Sequence, residues 1–296
     1  MISPAAGSLG FSLARTRFQL SPPSDTRPLR LSDEYLPFLC APGTEPADAS
    51  YTVSPAGPEE MTASGRVFWD NGVWRMRQVS TRRFDVEIQD AQIGAWRKTA
   101  EMADDFATGT LFPSPCSLRT GPLRPFHHPQ DRAIVVGRFC HLEGVMVHSS
   151  CVWVEGKVLL FAGVSGAGKT TIARLWRSHG ATVLNDERNL VRMCDGATWA
   201  GASPWHGEDN QVSALTGPLA AVFCLKQSTH NDLRPLPVTE SVVRLLTATF
   251  VPVFVPEGPA RVVETWGKVL EQVPAYELSF TPDGRALDLC RSAIGG

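Results

Sequence analysis

Hydrophobic and polar positions along this chain change period several times, and those changes mark its elements. Residues 1 to about 60 hold neither period for long. They carry nine of the 23 prolines, which predicts irregular structure draped over a core, with residues 21–24 and 42–58 as its most mobile pieces. Alternation first becomes clear on either side of Asn71-Gly72, between Arg66-Val-Phe-Trp-Asp and Val73-Trp-Arg-Met, and predicts a hairpin. Residues 84–88 read as another strand, and the spacing of Ile93, Trp96, Ala100 and Met102 predicts a helix over 93–106. Trp69, Trp74 and Trp96 read as core packing rather than as a binding stripe. A second proline cluster, 113–129, sets a boundary between a small α+β module (1–120) and a second domain (121–296).

In the second part, residues 133–136 predict a strand, and residues 144–161 a hairpin turning at Glu155-Gly156. Its second arm runs directly into Gly163-Val-Ser-Gly-Ala-Gly-Lys-Thr170, after which Ile172, Leu175 and Trp176 take up helical spacing until His179-Gly180. A strand over 181–184 ends in Asn185-Asp-Glu-Arg, and a hairpin over 190–199 turns at Asp195-Gly196. Residues 219–225 predict a buried strand, residues 239–250 and 259–273 helices, and residues 276–280 with 286–289 a closing hairpin around Pro282-Asp-Gly284. The pattern is that of an α/β (α+β) protein.

Composition narrows the picture without directing it. The 296 residues are 43% hydrophobic and 20% charged, within the range of ordinary globular proteins. A net charge of −2 gives no electrostatic footprint for nucleic acid or anionic membrane. No apolar run approaches the roughly 18 residues a spanning helix needs, and no charged region precedes the apolar part of the N-terminus. Seven scattered cysteines without a C-x-x-C pair indicate neither a zinc site nor a disulfide framework, so a reduced, cytoplasmic compartment is expected.

The candidate chemistry sits on the strand-loop-helix segment. Gly163, Gly166 and Gly168 let the backbone of a loop that also holds Ser165 and Ala167 curl its N–H groups toward phosphate oxygens, at the positive end of a helix. Lys169 is then placed to reach the β- and γ-phosphates of ATP, and the Thr170 hydroxyl to ligate Mg²⁺, with Thr171 beside it. Asp186 and Glu187 follow the next strand, at the end where α/β sheets collect ligands. Phosphoryl transfer needs such carboxylates, one to hold Mg²⁺ opposite Thr170 and one to orient a hydroxyl nucleophile. His148 lies on the strand paired beside this site, where strand capping and catalysis are both open to it. The segment Ser203-Pro-Trp-His-Gly-Glu208 fits a ligand loop and a buried Trp with a His–Glu pair equally well. Strand 219–225 ends in Lys226-Gln227 instead of an acid, which argues against motor and transporter ATPases.

Taken together, the upstream G-x-x-x-H-S-S-x-V, the L-F-x-G-x-S-G-A-G-K-T-T loop, V-L-N-D-E-R and P-W-H-G-E resemble the HPr kinase/phosphorylase family, over roughly residues 130–290. The similarity is nearest to the HPr-kinase-like proteins of lasso-peptide and other ribosomal peptide biosynthesis. It implies a phosphoenolpyruvate-carboxykinase-like P-loop kinase domain with a mixed sheet, using ATP and Mg²⁺ to phosphorylate a serine of a protein or peptide. It also implies Asp186 as the base that takes the serine proton, Glu187 as the Mg²⁺ ligand, His148 lining the site near Asp186, and a homo-oligomer. Two departures bear on the acceptor: Thr171 replaces the glutamate that follows the P-loop Lys-Ser in HPr kinase, and that family's basic C-terminal signature is absent. They argue against HPr as acceptor and against reverse phosphorylase activity. Three functions stay open: a serine kinase for a peptide or protein, a kinase for a small hydroxylated metabolite, and a non-catalytic nucleotide-binding regulator.

Overall fold

A computed structural model describes residues 7–23, 27–41, 46–56, 64–90, 94–207 and 212–295. The chain forms two compact units, one comprising residues 1–12, 16–141 and 254–256, the other residues 13–15, 142–253 and 257–296. Helix 130–141 thus belongs to the first unit, and the division falls beyond the second proline cluster rather than at it.

The first unit is built on one sheet of strands β1 (Leu9–Leu13), β2 (Thr16–Ser21), β3 (Leu39–Cys40), β4 (Ala49–Val53), β5 (Arg66–Asp70), β6 (Trp74–Ser80), β7 (Arg83–Asp90), β8 (Ala95–Ala103) and β9 (Thr108–Leu111). Their order is β3-β1-β2-β4-β9-β8-β7-β6-β5, with a short helix α1 (Pro115–Arg119) and a longer one, α2 (Gln130–His141). Four expectations are corrected here. The proline-rich start carries regular strands: β2 buries every second residue, and the prolines among the described residues of this stretch fall between strands, where a missing N–H costs no ladder bond. Residues 95–103 form β8 rather than a helix, because pairing with both β7 and β9 outweighs a loose 3.6-residue spacing, while Ile93 lies outside the described residues. Residues 133–136 belong to helix α2, not to a strand. Ala133 through Gly137, Phe139 and Cys140 are all buried, and a run buried on every side of the helix but for Arg138 shows no single face for a period to reveal. Trp69 and Trp74 meet at a 44° tilt with centroids 4.1 Å apart and contact Phe254, but Trp69, Trp74 and Trp96 are only half-buried, and Trp96 lies under the Arg75 guanidinium, so the three are not the core packing that the sequence suggests.

The second unit contains β10 (Gly144–Val154), β11 (Lys157–Ala162), α3 (Lys169–Ser178), β12 (Thr182–Asn185), β13 (Arg188–Cys194), β14 (Ala197–Ala202), β15 (Thr216–Gln227), β16 (Asp232–Pro235), α4 (Val238–Leu246), α5 (Gly258–Gln272), β17 (Ala275–Phe280) and α6 (Gly284–Ile294). Two long strands are shared between two sheets. β10 pairs with β13 as far as His148↔Arg188, then with β11 from Ser149↔Ala162 and with β12 on its other side. β15 pairs with β14 through its first residues, then lies parallel to both β11 and β17. The outcome is an antiparallel sheet β10-β13-β14-β15 joined to a mixed sheet β12-β10-β11-β15-β17-β16.

Helices α3 and α6 cover one face of the mixed sheet. Ile172, Ala173 and Trp176 from α3 and Ala286, Leu287 and Cys290 from α6 pack on Val152, Leu159, Phe161, Phe223 and Leu278. Helix α6 replaces the second arm of the expected final hairpin. Pro282-Asp-Gly looks like a turn, yet the Asp283 carboxylate accepts from the backbone N–H of Arg285 at 3.0 Å and caps a helix. The hairpin at Asp195-Gly196 forms as expected, both residues having positive φ (53° and 74°) as a type I′ turn demands. Among the described residues no helix is long and apolar enough to cross a membrane.

Candidate functional site

The crossover of β10 from one sheet to the other, at His148 and Ser149, is where the candidate residues converge. Ala162, paired with Ser149, is the last residue of β11 before the glycine loop, and the acidic turn joins β12 and β13, which flank the two halves of β10. Sheet topology thus brings residues 148, 163–171 and 185–188 to one place.

The loop between β11 and α3 has the shape its glycines allow. Gly168 caps α3 at φ +103°, a left-handed conformation that side chains disfavour, and a Cβ there would lie 2.8 Å from the Phe280 ring. At Gly163 a Cβ would lie 2.7 Å from that of Ala167, which is itself buried under the loop. Lys169 is only 7% exposed, and its ammonium donates to the carbonyls of Gly163 at 2.9 Å and Val164 at 3.0 Å. Burial lowers its pKa, an effect the charge of Glu187 opposes. Gln227, at the end of β15, donates from Nε2 to the Gly166 carbonyl at 2.6 Å. The residue that stands where an acid was expected therefore braces the loop.

Across the cleft, Asp186 is 6% exposed, and its Oδ1 has no hydrogen-bond partner among the described residues. Glu187 pairs with Arg188 at 2.6 Å. His148 is half-buried. Its Nδ1 lies 3.1 Å from the Glu187 carbonyl, an acceptor only, so Nδ1 carries the proton and Nε2 is left as the basic nitrogen. Burial, and next the charge of Lys169, pull the His148 pKa below its usual value, while the bond to the Glu187 carbonyl works the other way. Gly207 closes this wall so tightly that a Cβ on it would sit 3.1 Å from Glu187 Oε2 and 3.2 Å from Asp186 Oδ1. Trp205, two residues earlier, is buried, and Glu208 lies outside the described residues.

A cleft of about 470 Å³ brings together His148, Ser165, Gly166, Gly168, Lys169, Thr170, Thr171, Asp186, Glu187 and Gly207. Of the expected site residues, Gly163 and Ala167 do not line it; they shape the loop from behind. Gly207 falls within the candidate segment 203–208, but neither its crowding of the acidic turn nor the bond from Gln227 to the loop is written in a local pattern, because each acts on residues far away in sequence. The cleft's donor set fits Mg²⁺: the Thr170 hydroxyl and the carboxylates of Asp186 and Glu187 are oxygen ligands, and the orphaned Asp186 Oδ1 is a buried acceptor without a donor. No group of three or more His, Cys, Asp or Glu side chains among the described residues could cage a metal, and Mg²⁺ does not require one, since substrate phosphates and water complete its shell.

No protein-family model matches the chain, and no curated protein matches its sequence. Among solved structures it is similar to the Hpr(Ser) kinase/phosphatase from Coxiella burnetii, at 11% sequence identity and a TM-score of 0.29, over 51% of this chain and 87% of that one. A likeness this distant assigns no chemistry, which rests on the cleft itself.

Proposed function

We propose that this protein is an ATP- and Mg²⁺-dependent kinase that transfers the γ-phosphoryl group to a serine hydroxyl of a peptide or protein, of the kind modified in lasso-peptide biosynthesis. The observation that carries this reading is the buried, unpartnered Asp186 oxygen in the same cleft as Lys169 and Thr170 of the glycine loop. A nucleotide-binding regulator, whose Mg²⁺ could be held by Thr170 and Glu187, has no further use for a desolvated acceptor beside the phosphates, and leaving one unsatisfied costs about 1–3 kcal/mol. A kinase does.

In this reading the loop N–H groups and the Lys169 ammonium hold the β- and γ-phosphates, Lys169 exchanging its two carbonyl acceptors for phosphate oxygens. Asp186 orients the incoming hydroxyl and takes its proton as the new O–P bond forms and the bond to the β-phosphate oxygen breaks, releasing ADP. Thr170 and Glu187 would hold Mg²⁺, which when bound neutralises charge developing on the transferred group. His148, with Nε2 toward the cleft, serves as a second hydrogen-bonding group for the acceptor hydroxyl.

Incubation with ATP, Mg²⁺ and serine-containing peptides, followed by intact-mass measurement, tests the reading. A gain of about 80 Da that disappears in Asp186→Asn supports a serine kinase. Phosphorylation of small hydroxylated metabolites but of no peptide would move the acceptor to that class. Nucleotide binding with neither product would leave a regulator.

A further inference from the structure

We infer that Asn185 is a positioning residue for phosphoryl transfer, its buried amide clamping the acidic turn to the 203–207 loop so that Asp186, Glu187 and Gly207 present one fixed wall to the glycine loop. This rests on the kinase reading of the same cleft. Asn185 is wholly buried and does not line the cleft. Its Oδ1 accepts from the backbone N–H of Glu187 at 2.8 Å and of Arg188 at 3.2 Å, which folds the turn that sets both residues along the cleft. Its Nδ2 uses both hydrogens, on the carbonyls of Ser203 at 3.0 Å and Trp205 at 3.1 Å.

Those last two bonds reach 18 and 20 residues along the chain, and they serve something other than the turn. The 203–205 backbone they hold continues into Gly207, which lies so near both carboxylates that a Cβ on it would crowd them. Two further buried groups repeat the design. Ser203 donates from Oγ to the carbonyl of Arg188 at 2.9 Å, and Asn189 donates from Nδ2 to the Ser149 carbonyl at 2.7 Å. The neighbouring Ser150, on the opposite face of β10, donates to the Lys169 carbonyl at 3.0 Å. Side-chain bonds therefore tie β10 to the acidic turn through Asn189, which also reaches the Asn185 carbonyl at 3.3 Å, and to the first residue of α3 through Ser150. Apolar side chains of the same volume would leave these backbone groups unsatisfied at about 1–3 kcal/mol each, so the polar groups hold the fold here and also fix the separation between the carboxylates and Lys169.

Asn185→Asp tests this. It keeps the acceptor for Glu187 and Arg188 and removes the two donors to the 203–205 carbonyls. Calorimetry of nucleotide binding with and without Mg²⁺, together with phosphotransfer rates, should give a Mg²⁺-free nucleotide affinity within about twofold of wild type, a kcat down by about tenfold or more, and a smaller gain in affinity on adding Mg²⁺. If Asn185→Asp does not fold, Ser203→Ala should move both quantities the same way by less. A folded variant with wild-type kcat and a wild-type Mg²⁺ gain would overturn the proposal. So would a fall in binding stoichiometry that accounts for all the lost rate, since that is loss of fold alone. If wild-type protein binds nucleotide but transfers no phosphoryl group to any acceptor, the kinase reading fails separately, and the Mg²⁺ gain still decides whether Asn185 places the acidic wall.

Discussion

The two walls of the cleft are made differently. The glycine-loop wall is mostly backbone: its turn and its helix start lie within a dozen positions of each other, and its buried ammonium is held by the loop's own carbonyls. The acidic wall is side chain: Asp186, Glu187 and Gly207 are held by amides and hydroxyls whose partners lie up to 40 residues away. A backbone wall binds whatever carries phosphates, because N–H groups and a helix terminus recognise charge and little else. Selection of the reacting hydroxyl must come from the other wall. Substitutions should therefore separate, with the acidic side governing rate and the loop side governing affinity.

The largest separation is expected for Asp186→Asn. It leaves the loop untouched and should reduce phosphotransfer by on the order of 10²–10⁴-fold, the usual contribution of a positioned proton acceptor, with nucleotide affinity nearly unchanged in calorimetry. On the other wall, Gly168→Ala forces a side chain into φ +103° and against the Phe280 ring, and should cost about 2–4 kcal/mol in denaturant unfolding, together with nucleotide binding. Lys169→Met removes the cation and should weaken nucleotide binding by about 10–100-fold, the equivalent of one charge-assisted hydrogen bond. Equal loss of affinity in Asp186→Asn and Lys169→Met would break the division between the walls.

The same division explains what the sequence made legible. The glycine loop, its flanking strand and helix, and the turns at Asn71-Gly72, Glu155-Gly156 and Asp195-Gly196 could be read because their cause is local. Asp186, Glu187 and His148 could be nominated by position, and they do meet the loop in one cleft. What held them could not be read. Asn185 looks like any polar strand end until Ser203 and Trp205 are seen beside it. Errors in secondary structure have a matching origin. Strand β8 is fixed by its neighbours β7 and β9, helix α2 by burial on all sides, and Asp283 shows itself as a helix cap only once Ala286, Leu287 and Cys290 have a sheet to cover.

Gln227 sharpens the comparison, since it is an exposed long-range side chain serving the backbone wall, where Ser150 and Phe280 serve it from within. Its bond to the Gly166 carbonyl spans 61 residues and is exposed to solvent. Gln227→Ala should leave unfolding stability within about 0.5 kcal/mol and weaken nucleotide binding by about threefold, the lower end of what a single hydrogen bond contributes. A loss as large as that of Lys169→Met would mean that the loop is not self-supporting.

The smallest effect is expected at His148, and it can be read from stability without nucleotide or Mg²⁺. Burial, and then the Lys169 charge, hold its pKa in the folded chain below the ordinary value near 6.5. Between those two values the unfolded chain binds more protons than the folded one, so stability rises with pH across that window. Acidification from pH 7.5 should cost stability as pH falls through 6.5 toward the folded pKa, and the loss should level off below it. His148→Gln removes this component, so subtracting its pH–stability curve from that of wild type should leave a step of that sign in that window. A step of the opposite sign would mean that Glu187 outweighs burial and Lys169 and that His148 is held charged. It would then face the phosphates as a second cation instead of offering Nε2 to the acceptor hydroxyl.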